Sequence, residues 1–175
     1  EDQDKWRFSG IIRDVYLLYR DRDCIEDYKI ETEVKGERGE VIFENLSESL
    51  CEVEFEGERK EVKGRGKERF EAKDVKLWSA EEPNLYTLYI EVTDSDDTVT
   101  EVIKQRIGFR HFAMENGIMC MNGKRIVFRG VNRHELSCNH GRSITKEEIL
   151  HDLLIMKQNN IILLDIPQHA LRNDR

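Results

Sequence analysis

Residues 50–55 read Leu-Cys-Glu-Val-Glu-Phe, and the alternation of apolar and polar side chains seen there recurs along most of residues 11–107. Nothing else in the chain constrains its fold as much. A period of two puts successive side chains on opposite faces of an extended backbone, so one face packs and the other is wetted. Within 50–55, Cys51, Val53 and Phe55 share one face while Glu52 and Glu54 share the other. Short strands are predicted over residues 15–19, 25–34, 41–45, 50–55, 69–75, 85–92 and 99–107. Turn-forming residues separate them at 35–39, Gly57, 64–66 and 94–97.

Seven short strands with one wetted face each predict a mainly β protein, an immunoglobulin-like sandwich of about 90 residues. The charges suit that reading. Of the 175 residues 37% are charged, with the signs interleaved rather than blocked, as a solvated sheet face requires. Acidic side chains outnumber basic ones by 36 to 28, for a formal charge of −8, which argues against nonspecific nucleic-acid binding as the main role. The longest apolar runs fall far short of the roughly 20 residues needed to cross a bilayer. The opening Glu-Asp-Gln-Asp shows neither the basic nor the apolar part of a secretory signal. Cys24, Cys51, Cys120 and Cys138 form no CxxC pair, so reduced thiols in a cytoplasmic protein are expected.

After Phe109 the texture changes. Asn116-Gly117 and Asn122-Gly123 are hairpin-turn dipeptides, since both residue types tolerate positive φ. They form a small meander leading into residues 125–131. Thr145 and Glu148 then have the spacing of a helix capping box, and Ile149, Leu150, Leu153, Leu154 and Met156 recur at helical spacing. Lys157 suits the helix C-terminus, Asn159 and Asn160 can stop it, and residues 161–166 read as a second strand. Strand, helix, strand opens a parallel α/β unit. A complete (β/α)₈ barrel takes about 250 residues, so if this unit starts a barrel, most of that barrel is expected to be missing from this chain.

Three stretches go beyond generic pattern: residues 7–15 (Arg-Phe-Ser-Gly-Ile-Ile-Arg-Asp-Val), residues 77–86 (Leu-Trp-Ser-Ala-Glu-Glu-Pro-Asn-Leu-Tyr) and Ile107-Gly108-Phe109-Arg110. Asn122-Gly123-Lys124 and residues 129–135 (Arg-Gly-Val-Asn-Arg-His-Glu) follow in order. Together they give a chain that resembles the β-galactosidases of glycoside hydrolase family two from about residue 5 to Asn160. The resemblance implies three parts: residues 1–20 end a sugar-binding jelly roll, 21–108 are the immunoglobulin-like sandwich, and 109–175 begin a catalytic TIM barrel, incomplete here. It implies retaining hydrolysis of terminal β-galactosides such as lactose in the intact enzyme. It also assigns His134 to substrate binding, through contacts with sugar hydroxyls. The two catalytic glutamates and the ligands of a divalent cation lie beyond Arg175 on this reading. No catalytic residue, cofactor or metal site is then expected within the chain, which should be inactive alone. β-Glucuronidases and β-mannosidases share the architecture and are the alternatives within the family.

The residues allow blander readings as well. Trp78, Leu85 and Tyr86 suit the packing of a loop stiffened by Pro83. An apolar strand ending in Asn132, Arg133, His134 and Glu135 places polar groups where barrel enzymes build sites, yet the same residues could form a surface cluster. Cys138, His140 and His151 match no standard metal spacing. Gly64-Arg65-Gly66 lacks the setting of a nucleotide loop, and Ser47, Ser49 and Ser79 lack that of a nucleophile elbow. A function of another class, a free-standing sandwich that binds a partner, would need an exposed aromatic platform, for which Trp78 and Tyr86 are the clustered candidates. The apolar helix face with Leu153, Leu154 and Met156 invites self-association. After Asn160 the resemblance stops abruptly, which suggests out-of-frame sequence, and His169 receives no role.

Overall fold

The computed structural model describes residues 10, 11, 13–134, 136–161 and 163–165. They form two compact units, Tyr19–Ile126 and the described parts of 1–18 with 127–175.

The first unit is the sandwich. Its seven strands are β1 (Tyr28–Lys35), β2 (Arg38–Asn45), β3 (Leu50–Phe55), β4 (Glu58–Val62), β5 (Lys67–Ala72), β6 (Tyr86–Thr93) and β7 (Val99–Ile107). They pair antiparallel into a three-stranded sheet ordered β1-β2-β5 and a four-stranded sheet ordered β4-β3-β6-β7. Register follows the alternation. Cys51, Val53 and Phe55 lie opposite Val92, Ile90 and Leu88, and Val41 lies opposite Phe70, all of them buried. Glu52 and Glu54 emerge on the far face, where both reach Arg59 of β4. Such exposed pairs contribute little stability, so the sandwich is held by its apolar interior.

The strands over 50–55 and 99–107 have the predicted bounds, and the others shift by a few residues. Two differences are larger. β4, Glu-Arg-Lys-Glu-Val, is too charged to read as a strand, but its Glu56-Gly57 turn has positive φ at both residues and returns the chain alongside β3. Residues 15–19, expected as a strand, belong to none. A β-prone segment becomes a strand only when a neighbouring edge accepts its backbone hydrogen bonds.

Phe109 seals one end of the core. Its ring is wholly buried, with centroids 5.1 Å from Tyr86 and 6.3 Å from Phe55. A Cβ built on Gly39 would come within 2.6 Å of that ring, so glycine is required there. The chain then forms a three-stranded meander, β8 (Phe112–Glu115), β9 (Ile118–Met121) and β10 (Lys124–Arg125). Both Asn-Gly turns adopt the expected positive φ. Asn122 fixes the meander by accepting from the His111 N–H at 2.9 Å and donating to the Trp78 carbonyl at 3.0 Å.

The second unit contains β11 (Gly130–Asn132), α1 (Lys146–Gln158) and β12 (Leu163–Asp165), with β11 and β12 parallel. This is the anticipated strand, helix, strand order, although β11 is shorter than the run predicted over residues 125–131. Among the described residues no helix is long and apolar enough to cross a membrane.

Two outcomes follow. Gly39→Ala should lower the unfolding free energy of the sandwich by about 1–3 kcal/mol, read from the midpoint of urea unfolding. Burial pushes the Cys51 thiol up to about 11 and raises that of Cys120, whereas Cys138 is exposed. An alkylating reagent at neutral pH should therefore label Cys138 in the native chain, and Cys51 and Cys120 only after unfolding, as mass spectrometry of the digested protein would show.

Candidate functional site

The polar run of the sequence follows β11. Arg133, immediately after the strand, turns its guanidinium toward α1, where Nε and Nη2 both donate to Asp152 Oδ2 at 3.0 and 2.6 Å. The Arg133 side chain is 11% exposed, so this charged pair is partly shielded from water. It ties the end of β11 to the middle of the helix. His134, the next residue, is exposed, and Glu135 lies outside the described residues. The structure thus places His134 at the C-terminal end of a strand of a parallel pair, next to an anchored arginine.

The loop between His134 and α1 is organised by Ser137, which is buried. Its hydroxyl accepts from the backbone N–H groups of Asn139 and His140, both at 3.2 Å, and donates to Glu148 Oε1 at 2.6 Å. Ser137 and Gly141 exchange backbone hydrogen bonds across the loop. Glu148 also accepts from the Thr145 N–H, while Thr145 Oγ1 accepts from the Glu148 N–H, completing the predicted capping box.

Serine, histidine and glutamate meet here, but not as a nucleophilic triad. His140 Nδ1 lies 3.5 Å from Ser137 Oγ and 3.4 Å from Glu148 Oε1, so a single ring nitrogen faces both groups. The serine proton is directed to the carboxylate rather than to the imidazole. A triad needs one ring nitrogen on the nucleophile and the other on the orienting acid. Hydrogen bonds from Ser137, then from Thr145, hold the Glu148 carboxyl below its ordinary pKa. A glycosidase general acid needs the opposite displacement. Among the described residues the other carboxyls with displaced values, Glu31, Glu40 and Glu147, are displaced downward too.

Among the described residues no group of three or more His, Cys, Asp or Glu side chains is arranged to hold a metal ion. Cys138, His140 and His151 are exposed, and His169 lies outside the described residues. Trp78 and Tyr86 do not build a binding platform. Tyr86 packs on Phe109 and its hydroxyl accepts from the Lys76 N–H at 2.8 Å. Trp78 abuts Gly108 and carries Arg110 5.1 Å over its ring.

Sequence reasoning missed the Arg133–Asp152 clamp and the Ser137–Glu148 bond. A faint signal exists in the spacing, since Glu148 and Asp152 stand four apart on one helix face. Their partners are 11 and 19 residues away, which no local pattern identifies.

Residues 17–110 match the family described as glycosyl hydrolases family 2, and residues 112–163 match the TIM barrel domain of the same family. The chain belongs to glycosyl hydrolases family 2, and its fold is a β-sandwich followed by the start of a TIM barrel domain. It is 46% identical over 176 aligned positions to a β-galactosidase of Clostridium acetobutylicum, an alignment that covers 92% of this chain and 20% of that protein. A β-galactosidase of Halalkalibacterium halodurans is 39% identical, with 92% of this chain and 18% of that protein covered. The chain thus spans about a fifth of the length of these curated relatives. Among solved structures, a β-glucuronidase from Ruminococcus gnavus in complex with D-glucuronic acid superposes with a TM-score of 0.68 at 23% identity. That match covers 79% of this chain and 25% of the other, and shows the fold.

Because the folded pKa of Glu148 lies below its ordinary value, ionised Glu148 stabilises the helix cap at all pH above that ordinary value. The contribution is lost as pH falls through the depressed folded pKa. The helical circular dichroism signal, which among the described residues comes from α1 alone, should decline on acidification through this range. Glu148→Gln should flatten that dependence.

Proposed function

We propose that this chain is a portion of a β-galactosidase and supplies the bridging sandwich and the first barrel elements. The observation that carries the reading is the 46% identity to a β-galactosidase across 92% of the chain. The domain boundaries go with it: residues 1–20 from a jelly roll, 21–108 the sandwich and 109–175 the start of the barrel. In the whole protein the reaction is retaining hydrolysis of terminal β-galactosides through a galactosyl-enzyme intermediate. His134 holds sugar hydroxyls, Arg133 and Asp152 orient the loop that carries it, and both catalytic carboxyls come from outside this chain. A divalent cation belongs to the whole enzyme, with ligands elsewhere. A reducing, cytoplasmic setting accords with four unbridged cysteines.

A β-glucuronidase is the second reading, prompted by the R. gnavus structure, but that resemblance has half the identity of the β-galactosidase match. The free-standing binding module loses its support once Trp78 and Tyr86 are occupied in packing.

The purified 175-residue chain should show no turnover of a chromogenic β-galactoside. Exchanging residues 17–160 of this chain for the matching segment of the C. acetobutylicum enzyme should give a chimera that cleaves β-galactosides in preference to β-glucuronides. In the chimera His134→Ala should lower kcat/KM by about 10- to 100-fold, the loss expected when a substrate hydroxyl forfeits its partner. A folded chimera that prefers β-glucuronides, or is indifferent to His134→Ala, would overturn the respective assignment.

A further inference from the structure

His134 lies between two residues that are both fastened to α1. Arg133 precedes it and donates twice to Asp152 Oδ2. Ser137 follows after a short interval and donates its hydroxyl proton to Glu148 Oε1 at 2.6 Å. Glu148 and Asp152 are about one helical turn apart, hence neighbours on the same face of α1. We propose that Ser137 and Glu148 are positioning residues for His134, supplying the second of two anchors that hold the histidine where a sugar hydroxyl can meet it. The assignment rests on the substrate-binding role proposed above for His134 and names the residues that sustain it.

The hydroxyl of Ser137 has no capacity to spare. Its proton goes to Glu148, and its two lone pairs accept from the Asn139 and His140 N–H groups. The residue is buried, which is unusual for a serine, so removing the hydroxyl would leave shielded polar groups without partners. Backbone hydrogen bonds in both directions join Ser137 to Gly141, and Gly141, at a φ of 59°, closes residues 137–141 into a ring. From this ring Ser137 and His140 both face Glu148 Oε1, while Oε2 accepts from the Thr145 N–H. One carboxylate therefore joins the ring, the helix cap and the helix body.

Two anchors differ from one in the freedom they leave. Held at Arg133 alone, the chain after β11 can pivot about that ion pair and carry His134 with it. Held again at Ser137, it loses most of that freedom before substrate arrives, so ordering the loop does not oppose binding. Such precision matters where a side chain must meet a hydroxyl, since a misplacement of about 1 Å can cost up to roughly 100-fold in rate. Ser137 and Glu148 touch no substrate in this scheme and act only through His134.

In the chimera described above, Ser137→Ala should lower kcat/KM for a chromogenic β-galactoside by about three- to tenfold. The loss should divide between KM and kcat in the same proportion as that of His134→Ala. Ser137→Cys, which keeps the volume but hydrogen-bonds weakly, should do the same, and it serves where the alanine variant fails to fold. Glu148→Ala added to Ser137→Ala should cost no more than about twofold beyond the larger single loss, because both remove one anchor. The deciding measurement is made in a His134→Ala background, where Ser137→Ala should change kcat/KM by less than about twofold. A loss there as large as with His134 present would show a role in folding alone and overturn the proposal. Unchanged kcat/KM in folded Ser137→Ala and Ser137→Cys chimeras would overturn it as well. The underlying reading fails in a different way: a folded chimera indifferent to His134→Ala removes the substrate-binding role itself, and the positioning role with it.

Discussion

The packing of Phe109 beneath Gly39 is the contact on which the rest of the sandwich unit depends. The ring fills the end of the core only because position 39 has no Cβ, and it engages Phe55 and Tyr86 from the opposite sheet. Its carbonyl accepts from the Trp78 N–H at 2.7 Å, and the Trp78 carbonyl in turn accepts from Asn122. The Leu-Trp, Gly-Phe-Arg and Asn-Gly-Lys motifs, distant in sequence, thus converge on one joint. Their role there is mechanical: they set the direction in which the chain leaves the sandwich and enters the meander.

That joint explains why motifs strong enough to identify the family carry no chemistry of their own. Trp78 and Tyr86 are spent on packing and Asn122 on backbone bonds. The residues positioned for chemistry come later, at the end of β11. There a shielded ion pair to α1 holds Arg133, while the neighbouring histidine is left exposed. Breaking such a pair is costly because it strands a partly buried charge, so the clamp fixes the geometry of a loop that has little apolar packing. Among the described residues, Asp152 is the partner of Arg133, and Glu148 caps the helix with its carboxyl held below the ordinary pKa, which suits it poorly to donating a proton.

Much of the fold is legible in the sequence, because alternation is a local signal. The inward faces of 50–55 and 99–107 follow from period two, and the start of α1 follows from Thr145 and Glu148. The failures share a cause, which is that pairing is not local. Residues 15–19 have every intrinsic preference for a strand and pair with no strand among the described residues, whereas Glu-Arg-Lys-Glu-Val has little preference and becomes β4 because a tight turn delivers it to β3. At the site, the motif pointed to His134, but what steadies its loop depends on a helix residue nearly twenty positions away. The α1 surface shows the same limit. Helical spacing predicted its apolar face, yet the half-buried residues are Glu148, Ile149, Asp152 and Met156, while Leu150, Leu153, Leu154 and Ile155 remain exposed.

The sandwich is a self-sufficient folding unit closed by Phe109, whereas β11 and α1 belong to the start of a barrel domain and lack its core. Native-state hydrogen exchange on the 175-residue chain, at a concentration where sedimentation shows a monomer, tests this most directly. The amides of β2, β3 and β6 should exchange only through global unfolding, and those of α1 and β11 should exchange orders of magnitude faster, through local opening. Equal protection of α1, β11 and the sandwich strands would instead mean that the two units unfold as one.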